Sequence, residues 1–491
     1  MVVMLKPTAE QIERMAEEYP VIPVCRELYA DVVTPIALLR RLAAVSSRYY
    51  LLESVEGGER WGRYSFLGYD PIKRVTCKNG TVTVEEEGDV RRVETRHPLE
   101  VLRELLREYR SPRLPEMPPF TGGLVGSFSY EMIGYAEPVL KLPENEGNDF
   151  DLMLFDKVIA YDHLRQKIAI VVNMKTDRVL ENYGRAVEEI DRIARLIAGP
   201  VSLPPLSGEH AASPAFVSEM DEQRYGALVE RAKEYIRAGD IFQVVLSRRF
   251  DSLYKDSLLN AYRVLRTTNP SPYMVFLQAD DTQLMVSSPE TLVKLQDGVL
   301  SSYPLAGSRP RGGDEAADRA LEEELLQDEK ELSEHNMLVD LARNDVGRVA
   351  EFGSVTVPEY LRVHRYSKIM HLASVVEGRL RGGLDACDAL QAILPAGTLS
   401  GAPKIRACQI IAELEGRPRG VYGGAVGYLD FSGNMDVCIA IRMAVKQGDK
   451  VTVQAGAGIV ADSVPEREYA ESGNKARAVM EAMVLASEVN D

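Results

Sequence analysis

Four glutamates, spaced as two identical pairs, are the residues of this chain best suited to chemistry. Glu331 and Glu334 are three apart, as are Glu468 and Glu471, and on a helix that spacing sets both carboxylates of a pair on one face. Two such faces brought together make an all-oxygen nest of the kind that takes Mg2+ with several waters retained. The same spacing also suits the solvated face of an acidic helix, as Glu322–Glu324 illustrates, and ExxE alone is a weak pattern. Context favours an inward face for the first pair, because Glu334 is followed by His335 and the mostly apolar run MLVDLARND. Beside the second pair, Lys475 stands one turn beyond Glu471. It is placed either to receive a substrate carboxylate next to a metal or to pair with Glu471 on the surface.

Two glycine-rich segments, PAGTLSGAPK (395–404) and VQAGAGIVA (453–461), offer backbone N–H groups to a closely approaching ligand. An anion at the start of a helix opening at Ser400 would gain from its dipole; tight turns alone also account for the glycines. Neither segment has the Walker or GxGxxG form, so no nucleotide is indicated. Arg442 interrupts VCIAIRMAV, which is apolar at both parities. Such a strand is buried, and its Arg needs a carboxylate from protein or substrate. His371, in IMHLASVVEG, fits either a satisfied core position or a ligand contact. The sequence has no Ser-His-Asp pattern, no nucleophile elbow and no GxCxG-type glutaminase cysteine.

These residues need helices and strands to hold them. Helical spacing covers Asp314–Ala350, Ser400–Glu415 and Ser463–Val489, the last opening with an S-x-x-E capping box and Pro465 in the first turn. Alternating runs at Val421–Asp430, Met435–Val445 and Lys450–Val460, with the turn Ser432-Gly433-Asn434, predict an antiparallel meander. Nearer the N-terminus, Arg48–Ser54 and Lys167–Asn173 read as strands, and Pro98–Arg110 and Asn182–Ala198 as helices. Strands and helices fall in blocks, so the fold class is α+β, antiparallel sheets flanked by helices. The Pro-, Gly- and Ser-rich stretch 199–214 divides an N-terminal part, 1–198, from a C-terminal part, 215–491. The chain has a formal charge of −16, which disfavours nucleic-acid and anionic-membrane binding but not an anionic small molecule. Five cysteines without CxxC spacing, no leader-like N-terminus and no long apolar run point to a reduced, cytoplasmic protein.

GDIFQVVLSRRF (239–250), SSPE (287–290), PLAGSRPRG (304–312), ELSEHNMLVDLARND (331–345), PAGTLSGAPKIRA (395–407) and segment 453–476 together resemble the chorismate-utilising enzyme family. LLES (51–54) and RYSFLG (63–68) are similar to the regulatory region of anthranilate synthase large components. The resemblance implies that Glu334 and Glu471 hold Mg2+, with Glu331 and Glu468 close by. Arg442, Tyr422 and the backbone of Gly456–Gly458 would take the enolpyruvyl carboxylate, with Lys475 as a further cation. Glu290 matches the family's general acid at the C4 hydroxyl, and Thr398 and His371 lie near the ring, His371 serving a later elimination. Gln243 stands where water-adding members carry Lys. Ala306, before Gly307, stands where aminodeoxychorismate synthases carry a Lys nucleophile. Direct attack of ammonia at C2, then loss of pyruvate, is therefore implied. A separate glutamine amidotransferase subunit would supply the ammonia in a hetero-oligomer. Tryptophan would act as feedback inhibitor at Leu52, Glu53 and Ser54 with Pro272, Tyr273 and Met274.

Overall fold

The alternating runs form two large antiparallel sheets, seen in a computed structural model that describes residues 5–31, 33–54, 62–199, 213–365 and 369–489. The first runs, edge to edge, through Val21–Tyr29, Lys167–Lys175, Lys157–Asp162, Tyr64–Tyr69, Arg48–Glu53, Tyr273–Ala279, Thr282–Ser288, Met443–Gln447, Lys450–Ile459, Gln243–Leu253 and Gly401–Ala402. The second runs through Leu305–Pro310, Ile369–Arg379, Val299–Ser302, Thr291–Gln296, Met435–Ile439, Ala425–Asp430, Gly123–Phe128, Phe150–Phe155, Lys73–Lys78, Thr81–Glu86 and Asp89–Glu94, with Thr356–Arg365 added on Ile369–Arg379. The α+β reading stands. Residues 200–212 of the expected connection lie outside the described residues. The parts on either side of it share both sheets: Arg48–Glu53 pairs with Tyr273–Ala279, and Gly123–Phe128 with Ala425–Asp430.

Strand periodicity sorts side chains between two cores. Leu52, Val275, Leu284 and Val286 from the first sheet meet Leu124, Leu152, Val293 and Val437 from the second. The opposite face of the first sheet, with Leu51, Met274, Phe276 and Met285, is covered by helices. Full burial of an aliphatic side chain of this size stabilises by about 1.5–3 kcal/mol, so a one-residue slip of these strands is strongly disfavoured. Four helices matter for the site: α1 (Leu258–Thr268), α2 (Glu329–Gly347), α3 (Lys404–Glu415) and α4 (Pro465–Leu485). α4 packs on Lys450–Ile459 and on α1; α3 packs on Gln243–Leu253; α2 lies across Leu305–Pro310 and Ile369–Arg379.

Several boundaries differ from the sequence reading, each for a local reason. The helical run at 314–350 is two helices, Glu315–Leu325 and α2, because Asp328 turns its carboxylate to the N–H groups of Lys330 and Glu331 and starts a new helix. Ser400 caps nothing: its hydroxyl donates to the Ala396 carbonyl, and α3 begins at Lys404 behind Pro403. No helix therefore opens at Ser400 to offer its dipole to an anion. Ser463 likewise forms no capping box; its hydroxyl accepts from the N–H of Val460, and α4 has no side-chain cap. The run Met435–Val445 is not one strand. Met435–Ile439 ends in the second sheet and Met443–Gln447 begins in the first, so both parities are apolar because the chain passes from one packed sheet to the other. The expected meander is thus two hairpins, one in each sheet. Among the described residues no helix is long and apolar enough to cross a membrane.

Candidate active site

The crossing between the sheets brings the first two site residues together. At its centre Arg442 has φ +48, in the left-handed region that a residue with a Cβ occupies only at a cost of about 1–3 kcal/mol. Two backbone bonds hold it there: Ser287 N–H donates to the Arg442 carbonyl at 3.1 Å, and Ile439 N–H to the Glu290 carbonyl at 3.0 Å. The SSPE segment and the Arg442 corner are therefore fastened to each other. Thr398, in the short 3-10 turn Gly397–Leu399, donates its hydroxyl to Glu290 Oε1 at 3.3 Å. Burial pushes the Glu290 carboxyl up to about 8, against the Thr398 hydrogen bond and the charges of Arg442 and Lys475. Glu290 is thus protonated at neutral pH beside two cationic side chains. A cleft adjoins Glu290 and Thr398, walled by Leu338, Leu341, Ile393 and Ala396.

On the second sheet, Leu305–Pro310 shifts register between Ala306 and Ser308. Gly307, at φ +63, absorbs the irregularity, and a Cβ there would stand 3.2 Å from Glu331 Oε2. The Gly307 carbonyl is 3.2 Å from His371 Nδ1, and Ala306 faces Leu372 in the ladder. Burial lowers the His371 pKa, with Arg442 adding to the effect and the Gly307 carbonyl opposing it. His371 is therefore neutral at neutral pH.

The glycine wall is formed by Lys450–Ile459 against Gln243–Leu253. A Cβ on Gly456 would lie 2.6 Å from the Leu246 carbonyl and 3.0 Å from the buried Tyr422 hydroxyl. One on Gly458 would lie 2.6 Å from Gln243 Nε2. These glycines let Tyr422 and Gln243 stand directly over the strand. Among the described residues the buried Gln243 Oε1 has no hydrogen-bond partner, which costs free energy unless a donor arrives.

The carboxylate pairs approach from the helices. Glu331 and Glu334 lie on α2, and Glu468 and Glu471 on α4. The Glu334 carboxyl is pushed up by desolvation, then by Glu331 and, from the other helix, Glu471, while Lys330 and Lys475 oppose. That of Glu468 is raised by desolvation and by Glu471. Glu471 Oε1 accepts from Lys475 Nζ at 2.7 Å, and Lys475 also reaches the Gly456 carbonyl at 3.3 Å. Glu331 Oε1 lies 3.8 Å from Arg309 Nη1. Among the described residues no three His, Cys, Asp or Glu side chains are grouped closely enough to hold a metal ion. In chemistry alone the four are all-oxygen donors of the type a hard divalent cation takes, and the two helices lie near enough for the Glu471 charge to act on Glu334.

A second, larger cavity lies between the sheets, at the Tyr273 end of Tyr273–Ala279. Leu52, Glu53, Ser54, Pro272 and Tyr273 line it, joined by Phe66, Tyr428, Arg63, Lys294 and Asp436. Two corrections follow. Met274 is fully buried on the helix side of the sheet, because alternate residues of a strand face opposite ways. Glu53 is already engaged: its carboxylate accepts from Tyr262 at 2.7 Å and from Arg266 Nε at 2.6 Å. It anchors α1 rather than offering an open acceptor. Asp436 is the acid that sequence reading passes over; its carboxylate accepts from the Tyr273 hydroxyl at 2.7 Å. Its place in MDVC gives no hint beyond a charge inside an apolar strand.

Comparison with known proteins gives consistent results. Residues 47–481 match the family described as chorismate binding enzyme. Anthranilate synthase component 1 of Acetivibrio thermocellus is 46% identical over 499 residues, covering 99% of this chain and 100% of the relative. That of Aquifex aeolicus is 44% identical over 488 residues, covering 99% of each. The solved structure of anthranilate synthase component I from Streptococcus pneumoniae TIGR4 superposes with a TM-score of 0.77 at 36% identity, covering 92% of this chain and 98% of that one. A menaquinone-specific isochorismate synthase from Escherichia coli, at 22% identity and TM-score 0.69, covers 97% of this chain and 98% of that one and shares the fold.

Proposed function

The chain belongs to the chorismate-binding enzyme family and, within it, to anthranilate synthase component 1; on that premise we propose that it aminates chorismate at C2 with ammonia. The C4 hydroxyl leaves as water, giving 2-amino-2-deoxyisochorismate, which loses pyruvate to become anthranilate. The observation that carries this reading is the Glu290 carboxyl, kept protonated by burial and standing 3.3 Å from the Thr398 hydroxyl. A carboxylic acid of that pKa protonates a leaving hydroxyl at neutral pH, which an ordinary exposed Glu does not.

The other residues divide the substrate between them. Arg442, Tyr422 and the backbone at Gly456 and Gly458 take the enolpyruvyl carboxylate, and Lys475 adds positive charge on the same side. Glu331, Glu334, Glu468 and Glu471 would hold Mg2+, which when bound orients the ring carboxylate and acts as a Lewis acid. Gln243 has no basic nitrogen with which to deprotonate water. Its carbonyl oxygen, without a partner among the described residues, suits an N–H of ammonia. Ala306 offers no amine, so no covalent adduct precedes the attack. In the elimination His371 donates Nδ1–H to the Gly307 carbonyl, which leaves Nε2 as the basic nitrogen for the ring proton.

Since the sequence carries no glutaminase cysteine motif, ammonia comes from a partner amidotransferase subunit in a hetero-oligomer. The purified chain alone then makes anthranilate from chorismate and an ammonium salt but not from glutamine. Glutamine-dependent turnover by the single chain would refute the division of labour.

Tryptophan is the proposed occupant of the larger cavity. Phe66, Pro272 and Val275 suit the indole. Charged groups on the lining include Asp436, paired with Lys294, and Arg63, paired with Asp162, which a bound amino acid's two ends would have to share. Ser54→Phe fills this cavity from its lip. It is expected to weaken tryptophan inhibition about 10- to 100-fold, as overpacking of a fitted site does, with kcat unchanged. Equal inhibition of Ser54→Phe and the unsubstituted chain would move the site elsewhere.

A further inference from the structure

We infer that Arg419 is a positioning residue for this reaction, fixing the Thr398 turn, the Gln243 strand and the glycine wall to one another through its buried pair with Glu415. The inference rests on the reaction proposed above and adds a residue that touches none of the reacting atoms.

Arg419 and Glu415 are almost wholly enclosed, with side chains 1% and 3% exposed. The guanidinium spends its donors on four acceptors. Nε donates to Glu415 Oε2 at 2.9 Å and Nη2 to Glu415 Oε1 at 2.6 Å. Nη1 donates to the Leu399 carbonyl at 2.6 Å and Nη2 to the Val245 carbonyl at 2.7 Å. Leu399 follows Thr398 directly, and Val245 lies two residues past Gln243. Glu415 extends the frame, since its Oε1 also accepts from the N–H and hydroxyl of Ser247 at 2.8 and 3.0 Å. Ser247 faces Gly456 in the ladder. On the other side, Glu131 accepts from the N–H groups of Arg419 and Gly420 at 2.7 and 3.1 Å, setting the turn that leads to Tyr422.

A buried ion pair is weak evidence for stability, because apolar residues of similar volume often serve as well. What distinguishes this one is where its bonds go. Each segment it grips carries a residue assigned above to the reaction, and the flat guanidinium fork fixes direction as well as distance. Lysine in its place keeps the charge and loses the fork, so the Leu399 and Val245 carbonyls are no longer held together.

The test is a double-mutant cycle on the full chain, reading ammonium-dependent anthranilate formation. Arg419→Lys is expected to lower kcat about 10- to 100-fold, the effect of roughly 1 Å of misplacement at a reacting group, while the chorismate KM changes less than about threefold. Because the Thr398 hydrogen bond holds the Glu290 pKa down, the alkaline limb of the kcat profile moves to higher pH. Thr398→Ala shifts that limb in the same direction, and the double variant is no worse than the poorer single. Multiplying losses, or a loss that follows the melting temperature with an unmoved pH limb, would overturn the inference. If Arg419→Lys is not recovered folded, Ser247→Ala takes its place in the same cycle, with a smaller drop and the same non-additivity expected. An unsubstituted chain that forms no anthranilate brings down the reaction and this inference together; an active one with an additive cycle brings down this inference alone.

Discussion

Glu290→Gln is expected to lower ammonium-dependent turnover about 10²- to 10⁴-fold, the range that a positioned general acid contributes, while chorismate still binds. Glutamine preserves the shape and can still accept from Thr398, but it has no acidic proton for the departing hydroxyl. The pH dependence makes the prediction specific. Burial raises the Glu290 pKa to about 8, so the acid form is present below that pH and lost as pH rises through it. The unsubstituted chain should therefore lose kcat on that alkaline limb, and the residual rate of Glu290→Gln should lack it. At the acid end the lowered pKa of His371 keeps the imidazole neutral to below its ordinary value, so the rate falls only under about pH 6.5. A Glu290→Gln variant with a tenth or more of the original rate and an unchanged profile would remove Glu290 from the chemistry.

The second large effect concerns the two helices that carry the carboxylate pairs. Glu334→Gln and Glu471→Gln should each lower turnover at a fixed Mg2+ concentration about 10²- to 10³-fold, since a Lewis-acid cation contributes several kcal/mol. Each should also raise the Mg2+ concentration needed for half-maximal rate. In the unbound chain the same changes relieve repulsion, because the Glu471 charge is one of those that push up the Glu334 carboxyl. The variants should therefore be at least as heat-stable as the original without Mg2+ and gain less when Mg2+ is added. Unchanged turnover and unchanged Mg2+ dependence in both variants would show that the cation lies elsewhere or is not needed.

Much of the site is legible in the sequence because its residues sit in short, ordered strings. SSPE, PLAG, the ExxE pairs and the glycine wall each fall within one element or one turn, where spacing fixes the face a side chain takes. Legibility ends where position depends on chain segments far apart. Arg442 reads as part of a continuous strand; it stands instead at a left-handed corner between sheets, and apolar residues at both parities cannot distinguish burial in one sheet from passage between two. Adjacency groups Met274 with Tyr273, although the period of two sends it to the opposite core. Glu53 looks open to a ligand because nothing local reveals Tyr262 and Arg266 converging on it from more than 200 positions away. Arg419 is hidden for a similar reason. RPRG reads as a polar loop after a helix, and its i, i+4 relation to Glu415 is the available signal, indistinguishable by sequence from a surface pair.

The most direct test of the central claim follows the product formed when the purified chain meets chorismate, an ammonium salt and Mg2+ at mildly alkaline pH. Fluorescence and mass should both report anthranilate, and a chelator should abolish its formation. Accumulation of aminodeoxychorismate would contradict the role of Ala306, and turnover indifferent to the chelator would contradict that of the four carboxylates.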